Sequence, residues 1–256
     1  MRIHHRAGLL VFVLLLLLST NNALCQVSDE TAETLHRIEE LLIQGESQQA
    51  WQVLEGIPED NLDTDDRLWI MARVQYEMGR VADKDGMPYL QKAEEYAQSA
   101  IEENADNAEG YKWLAITLGA QAKHSDTKAQ VKISNKVKEN IERAIALNPD
   151  DDISYLVLSR WHYKNSSLGG IARAFAKVLY GGLPEASLDE AERLLLHAIK
   201  LRDRIAHHYY LAKVYDRMER REDVKIQFEL AILLPVTFPE ETEEKEKAKK
   251  KLKNWN

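Results

Sequence analysis

The chain has 256 residues, with 34 Lys and Arg against 42 Asp and Glu, a formal net charge of −8. It carries no basic domain of the kind that tracks a phosphate backbone, which argues against a nucleic-acid partner. Gly and Pro number only 11 and 6, while Ala, Leu, Glu and Lys are plentiful, a composition that favours helices over sheet.

The chain opens with a basic start, "MRIHHR", a short apolar run, "AGLLVFVLLLLLS", and a polar stretch, "TNNALCQ". That order is the order of a secretory signal peptide. The run is short for a membrane span, which needs roughly 20 apolar residues. The expected organisation is therefore a signal peptide over 1–25 and one helical repeat domain over 26–256, with cleavage after Ala23-Leu24-Cys25. The expected destination is the periplasm or the outside of the cell. The alternative is a chain held in a membrane by an uncleaved N-terminal segment. Lipidation of Cys25 is disfavoured by bulky Leu24 before it. Cleavage before Gln26 removes the only cysteine, so the mature chain forms no disulfide and no thiolate site.

Beyond the leader one phrase recurs. Ala100, Ala144, Ala198 and Ala231 begin "AIEENA", "AIALNP", "AIKLRD" and "AILLPV". Three residues upstream stand Ala97, Ile141, Leu195 and Phe228; seven upstream stand Ala93, Val137, Ala191 and Val224. Steps of four and three place these on one helix face, and the small residues let a neighbour approach closely. Each such helix follows another that carries an apolar residue and then a small one: Met71-Ala72, Leu114-Ala115, Leu158-Ser159 and Leu211-Ala212. "LHRIEELLIQGESQQAWQVLEGIP" is a weaker first copy, with Gly45 in the turn and Ala50 at the close-packing site. The pattern resembles the tetratricopeptide repeat, an antiparallel helix pair of about 34 residues. The predicted fold is all-α: a tetratricopeptide-like α-solenoid of about five antiparallel helix pairs.

The spacing is uneven: Ala100 to Ala144 is 44 residues, Ala144 to Ala198 is 54, and Ala198 to Ala231 is 33. The first excess holds "KHSDTKAQVKISNK" and predicts a longer second helix. The second holds "KNSSLGGIARAFAKVLYGGLPEAS" and predicts a short inserted helix over 171–180, bracketed by Gly169-Gly170 and Gly181-Gly182. These glycines read as turns, because they lack the lysine and Ser/Thr of a phosphate loop. "PEETEEKEKAKKKLKN" ends the chain as a solvated capping helix, acids first and lysines last, with Glu241-Lys245, Glu243-Lys247 and Glu246-Lys250 four apart.

From Lys112 to Leu201 the chain carries "KWLAITLGAQA", "KISNKVKENIERAIALNPDD", "LSRWHY" and "IARAFAKVLYGGLPEASLDEAERLLLHAIKL". This stretch resembles the regulator of microtubule dynamics family, through Lys112-Trp113, the long helix into Asn148-Pro149, Arg160-Trp161 with Tyr163, and Gly182 and Pro184. Ser159 stands where the family usually has Gly, and Glu185 where a second Pro is common. The resemblance implies an all-helical repeat domain without enzymatic activity. For eukaryotic members it implies microtubule association or tethering at organelle membranes. A secreted relative meets no microtubules, so that partner is expected only for cytoplasmic repeats.

No His-Glu-x-x-His, Gly-x-Ser-x-Gly or Cys pair is present, so no catalytic residue, metal site or cofactor is expected. His207 and His208 are adjacent and point about 100° apart on a helix, which suits packing. Asp150 to Asp152 follow Pro149 and read as an N-cap. In this repeat the first helices line the concave wall. Counting from each apolar–small pair, Trp69, Arg73, Tyr76, Lys112, Ile116, Gly119, Leu156, Arg160, Tyr163, Tyr209, Lys213 and Asp216 face inward. The expected partner-binding groove is Trp69, Arg73, Tyr76, Lys112, Arg160, Tyr163, Tyr209 and Lys213, cations and aromatics of the kind favoured at interfaces. Its expected occupant is a protein or peptide with acidic segments; the alternatives are local pairing of these cations, or a membrane lipid in the same groove. Export predicts that the protein recovered from periplasm or medium has an intact mass beginning at Gln26. A full-length mass from a membrane fraction would overturn it.

Overall fold

The structure is a computed structural model, and it describes residues 29–82, 85–166 and 185–255. The predicted signal peptide over 1–25 and the predicted inserted helix over 171–180 lie outside the described residues. Five antiparallel pairs follow one another: α1 (29–43) with α2 (Ser47–Glu55), α3 (Thr64–Ala82) with α4 (Met87–Glu103), α5 (Ala108–Gln121) with α6 (Thr127–Leu147), α7 (Asp152–Ser166) with α8 (Leu188–Leu201), and α9 (Ile205–Arg217) with α10 (Arg221–Leu233). A further helix, α11 (Glu241–Lys253), packs on α9 and α10. The fold is the all-α solenoid that the repeat pattern predicts.

The recurring phrase explains the stacking. Ala93, Ala97 and Ala100 of α4 are fully buried, as are Ala191, Leu195 and Ala198 of α8. Val137, Ile141 and Ala144 of α6, and Val224, Phe228 and Ala231 of α10, occupy the same face and are buried. The small member of each apolar–small pair, Ala72, Ala115, Ser159 and Ala212, is 0% exposed. With no bulky side chain at these points, helix axes approach closely and the neighbouring large residues interdigitate. Ser159, in place of an alanine, gives its hydroxyl to the Ala191 carbonyl at 3.1 Å, which satisfies the buried donor. Gly45 closes the first pair at φ +82, a conformation that costs glycine nothing. At 21 residues α6 is the longest helix described, as its spacing predicts; Asp126 caps it by accepting from Ala129 N at 2.8 Å.

Successive first helices α3, α5, α7 and α9 touch one another and form the inner layer. Acidic residues at their starts tie one repeat to the next. Asp65 accepts from Asn104 and Asn107, both at 2.8 Å, and these bonds hold its pKa low. Of the predicted N-cap run, Asp151 does cap α7, accepting from Ser154 N at 2.9 Å. Asp152 does more than cap. It is buried, pairs with Arg204 at 2.5 Å, and lies 3.3 Å from His207 Nε2. Burial raises its pKa, but His207 and Arg204 outweigh that and bring it to about 2. His207 and His208 are both interior, His207 on the Arg202 carbonyl and His208 between Gln227 and Asp203.

The C-terminal helix corrects the expectation of a solvated cap. Glu241, Glu244 and Ala248 are buried. Glu241 accepts from the backbone N–H of Thr237 at 2.7 Å, of Phe238 at 3.0 Å and of Ala206 at 3.3 Å, so it satisfies unpaired donors at the starts of two helices. Of the predicted i,i+4 pairs, Glu243–Lys247 forms at 2.7 Å. Lys245 instead reaches the Leu234 carbonyl, and Glu246 pairs with Lys249. The reason is that one face of α11 lies on protein rather than water.

Close approach at the alanines is testable. Replacing Ala97 with Leu inserts a side chain where no space exists and should cost about 1–3 kcal/mol. Urea unfolding should show a lower midpoint at an unchanged m-value.

Candidate concave binding site

The inner layer encloses a cavity of about 630 Å³ between α5, α6 and α7. Its walls are largely apolar: Ala115, Ile116, Ala120, Val131, Ile133, Val137, Val157 and Trp161. The long α6 supplies one wall, and the Trp161 indole is fixed there by donating to the Ser134 carbonyl at 2.8 Å. Polar lining comes from Thr127, Gln130 and Ser134, from the rings of Tyr76, Tyr163 and Tyr210, and from Lys123, Arg160, Lys164 and Lys213. Among the described residues no carboxylate lines it. In a chain of net charge −8 this is a local reversal of sign.

The residues expected on the wall divide into two sets. Tyr76, Arg160, Tyr163 and Lys213 line the cavity, together with Ile116 and Gly119. Trp69, Arg73, Lys112 and Tyr209 do not, nor do Leu156 and Asp216. Arg73 is buried, pairs with both carboxylate oxygens of Glu39, and stacks over Trp113 and Phe238 at 5.3 and 5.6 Å. Together with Trp69 it lines a separate pocket of about 160 Å³ against α1, where the Trp69 indole donates to Asp66 at 2.8 Å. Lys112 is buried between Glu109 at 2.5 Å and Asp151 at 3.1 Å, joining α5 to the start of α7. For Arg73 and Lys112 the local-pairing alternative describes the geometry. Tyr209 packs on Phe228, ring centres 5.9 Å apart, behind Lys213.

The cations that line the cavity are differently placed. Arg160 stacks over Tyr210 at 4.7 Å and has no hydrogen-bond or ion-pair partner among the described residues. Lys213 is surrounded by the rings of Tyr163, Tyr209 and Tyr210 at 5.1, 5.7 and 4.8 Å, again with no hydrogen-bond or ion-pair partner among the described residues. Burial lowers the Lys213 pKa and the nearby Arg160 lowers it further. The same two causes, in the same order, lower Lys123. Ring faces supply some compensation, but an anion in the cavity would relieve this crowding of positive charge.

Behind the cavity lies an acidic cluster that sequence reasoning missed. The Tyr76 hydroxyl donates to Glu240 at 3.0 Å, across 164 residues of sequence. Glu77, one residue on, is buried and pairs with Arg80 at 2.7 Å. Burial, and then Glu240, push the Glu77 pKa up to about 7. Burial raises Glu244 to about 8. Burial also raises the Tyr76 phenol well above its ordinary value, with Glu240 and Glu77 adding to the effect. For Arg160 burial works the other way, but Tyr210, Tyr76, Glu240 and Glu244 together raise its pKa. The only signal for Glu240 and Glu244 is the acidic start of α11, which reads as ordinary dipole complement.

Among the described residues no cluster of three or more His, Cys, Asp or Glu side chains is placed to hold a metal ion, and no helix is long and apolar enough to cross a membrane. Stacked antiparallel helix pairs with a cation-bearing cavity on their inner side define a tetratricopeptide-like helical-repeat fold. Its structure superimposes on a thermophilic TPR protein of Thermus thermophilus with a TM-score of 0.62 at 18% identity, over 86% of this chain and 98% of that one.

The family profile described as Regulator of microtubule dynamics protein 1-3 matches residues 34–256, and the chain belongs to that family. It is 31% identical over 180 residues to Regulator of microtubule dynamics protein 3 of Xenopus laevis, covering 69% of this chain and 39% of that protein. It is 28% identical over 228 residues to Regulator of microtubule dynamics protein 1 of Bos taurus, covering 80% and 71%. The chain thus spans about 39% of the length of the first relative.

The raised carboxyls make stability depend on pH. In the folded protein Glu77 and Glu244 hold their protons up to about 7 and about 8, against 4.5 ordinarily. Their contribution is complete below about 4.5 and is lost as pH rises through the folded values. The melting temperature should therefore fall by about 3 °C or more between pH 6 and pH 8.5. Glu244→Gln should flatten that slope in a thermal melt followed by circular dichroism.

Proposed function

We propose that the chain is a non-catalytic binding scaffold whose concave cavity takes up an acidic segment of a partner protein. The observation that carries this reading is the pair Arg160 and Lys213, held against aromatic rings and facing a cavity without a carboxylate. A carboxylate of the partner would meet these cations, and an apolar side chain beside it would fill the walls formed by Ile116, Val131 and Val157. Buried charge-assisted bonds give such capture its strength, and the apolar walls exclude water. In this reading the chain acts after export, as the mature product beginning at Gln26.

One observation favours a second reading. The cavity walls are more apolar than a peptide carboxylate alone requires, and an anionic amphiphile would use both walls and cations. In that case the chain is a lipid-binding or membrane-tethering repeat protein. The relatives' names point to microtubules, a partner for this chain only where its repeats face the cytoplasm.

Arg160→Glu with Lys213→Glu should weaken capture of the partner by about tenfold or more, with far-ultraviolet circular dichroism unchanged. Unchanged capture would sink the reading. Organic extraction of the purified protein, with mass spectrometry of the extract, separates the two readings: a stoichiometric lipid supports the second, and its absence with a captured protein supports the first.

A further inference from the structure

One amine of the cavity has an unusual setting. Lys213 is half-buried and lines the cavity together with the apolar side chains of Ile116, Val157 and Trp161. An ammonium carries three donors and seeks an acceptor for each. The Lys213 Nζ faces the rings of Tyr163, Tyr209 and Tyr210 and has no hydrogen-bond or ion-pair partner among the described residues. Nor is the nearest ring its own: Arg160 lies over Tyr210 at 4.7 Å, against 4.8 Å for Lys213. Two cations therefore share one ring face system, and each weakens what the ring offers the other. Further positive charge comes from Arg217 on α9 itself and from Lys247 on α11. The carboxyl among these neighbours, Glu244 of α11, holds its proton up to about 8 and carries little charge at neutral pH. Burial first, then Arg160, favour the uncharged amine. The other amines of the cavity differ: Lys123 is exposed to water, and Lys164 has a partner of its own. A lysine withdrawn from water beside a second cation keeps a free lone pair, the setting that makes this side chain a nucleophile.

We propose that Lys213 is a nucleophilic amine and that an apolar aldehyde lodged in the cavity forms an imine with it. The Nζ lone pair bonds to the carbonyl carbon. The carbonyl oxygen leaves as water with the two hydrogens of the amine, and no oxidant or reductant is consumed. The apolar walls hold the hydrocarbon part of the ligand, and about 630 Å³ is room for a small molecule. The inference uses the cavity but does not rest on capture of an acidic segment. The two are exclusive in time: a carboxylate bound at Arg160 restores the charge on Lys213 and quenches the amine.

The test uses the full chain, octanal as the probe and sodium cyanoborohydride to reduce the imine to a stable secondary amine. Digestion and mass spectrometry locate the label. Near neutral pH Lys213 should be labelled about fivefold or more faster than Lys128 and Lys132, which are exposed on α6. The pH midpoint of its labelling rate should lie below theirs. Arg160→Gln should slow labelling of Lys213 and raise that midpoint, because it removes the neighbouring positive charge. Lys213→Arg should lose the label yet keep a cation for an acidic segment. Labelling of Lys213 no faster than of Lys128 and Lys132, or with the same pH midpoint, overturns the proposal on the unaltered protein alone and leaves the acidic-segment reading standing. Fast labelling in a protein that captures no acidic segment supports the amine and overturns that reading instead.

Discussion

The structure depends on one constraint: a single helix pair cannot bury its own apolar face. Ala97, Ala144, Ala198 and Ala231 meet this constraint by letting the next pair come close enough to bury it for them. Once the axes are that close, the first helices must line up on one side and the second helices on the other. The concave wall is a consequence of that packing. So is the cavity lined by α5, α6 and α7.

The wall then sorts its charges. Arg73 and Lys112 are each beside a carboxylate from another helix, and their positive charge is spent on holding repeats together. Asp152 with Arg204 does the same further along. Such buried pairs contribute modestly to stability, because desolvation offsets attraction, but they fix how one repeat sits on the next. Arg160 and Lys213 face aromatic rings instead. A ring face tolerates a cation without neutralising it, and in the proposed function these two are the cations that meet the ligand. The difference between structural and available cations thus lies in the neighbour, not in the residue type.

The C-terminal helix belongs to both halves of this account. Through Glu241 and Ala248 it covers the last repeat and closes the core. Through Glu240 it reaches α3, near the other end of the stack, at Tyr76. Burial of Glu77 and Glu244 is tolerated because burial raises their pKa to about 7 and about 8, which favours the neutral form.

Much of the fold is legible in local spacing. Steps of three and four define which face of each helix is apolar, and the alanine phrase defines where helices cross, because both depend only on residues within one or two turns. The same counting places Tyr76, Arg160, Tyr163 and Lys213 on the inner face, where the cavity has them. Periodicity is silent on what each inner side chain meets. Glu39 reaches Arg73 across 34 residues, Asp151 reaches Lys112 across 39, and Glu240 reaches Tyr76 across 164. The acids of α11 read as a solvated start because their spacing is that of any surface helix. The face of a helix is a local property of the chain; the partner of a charge is a distance in space, and only the packed repeats bring that distance into being.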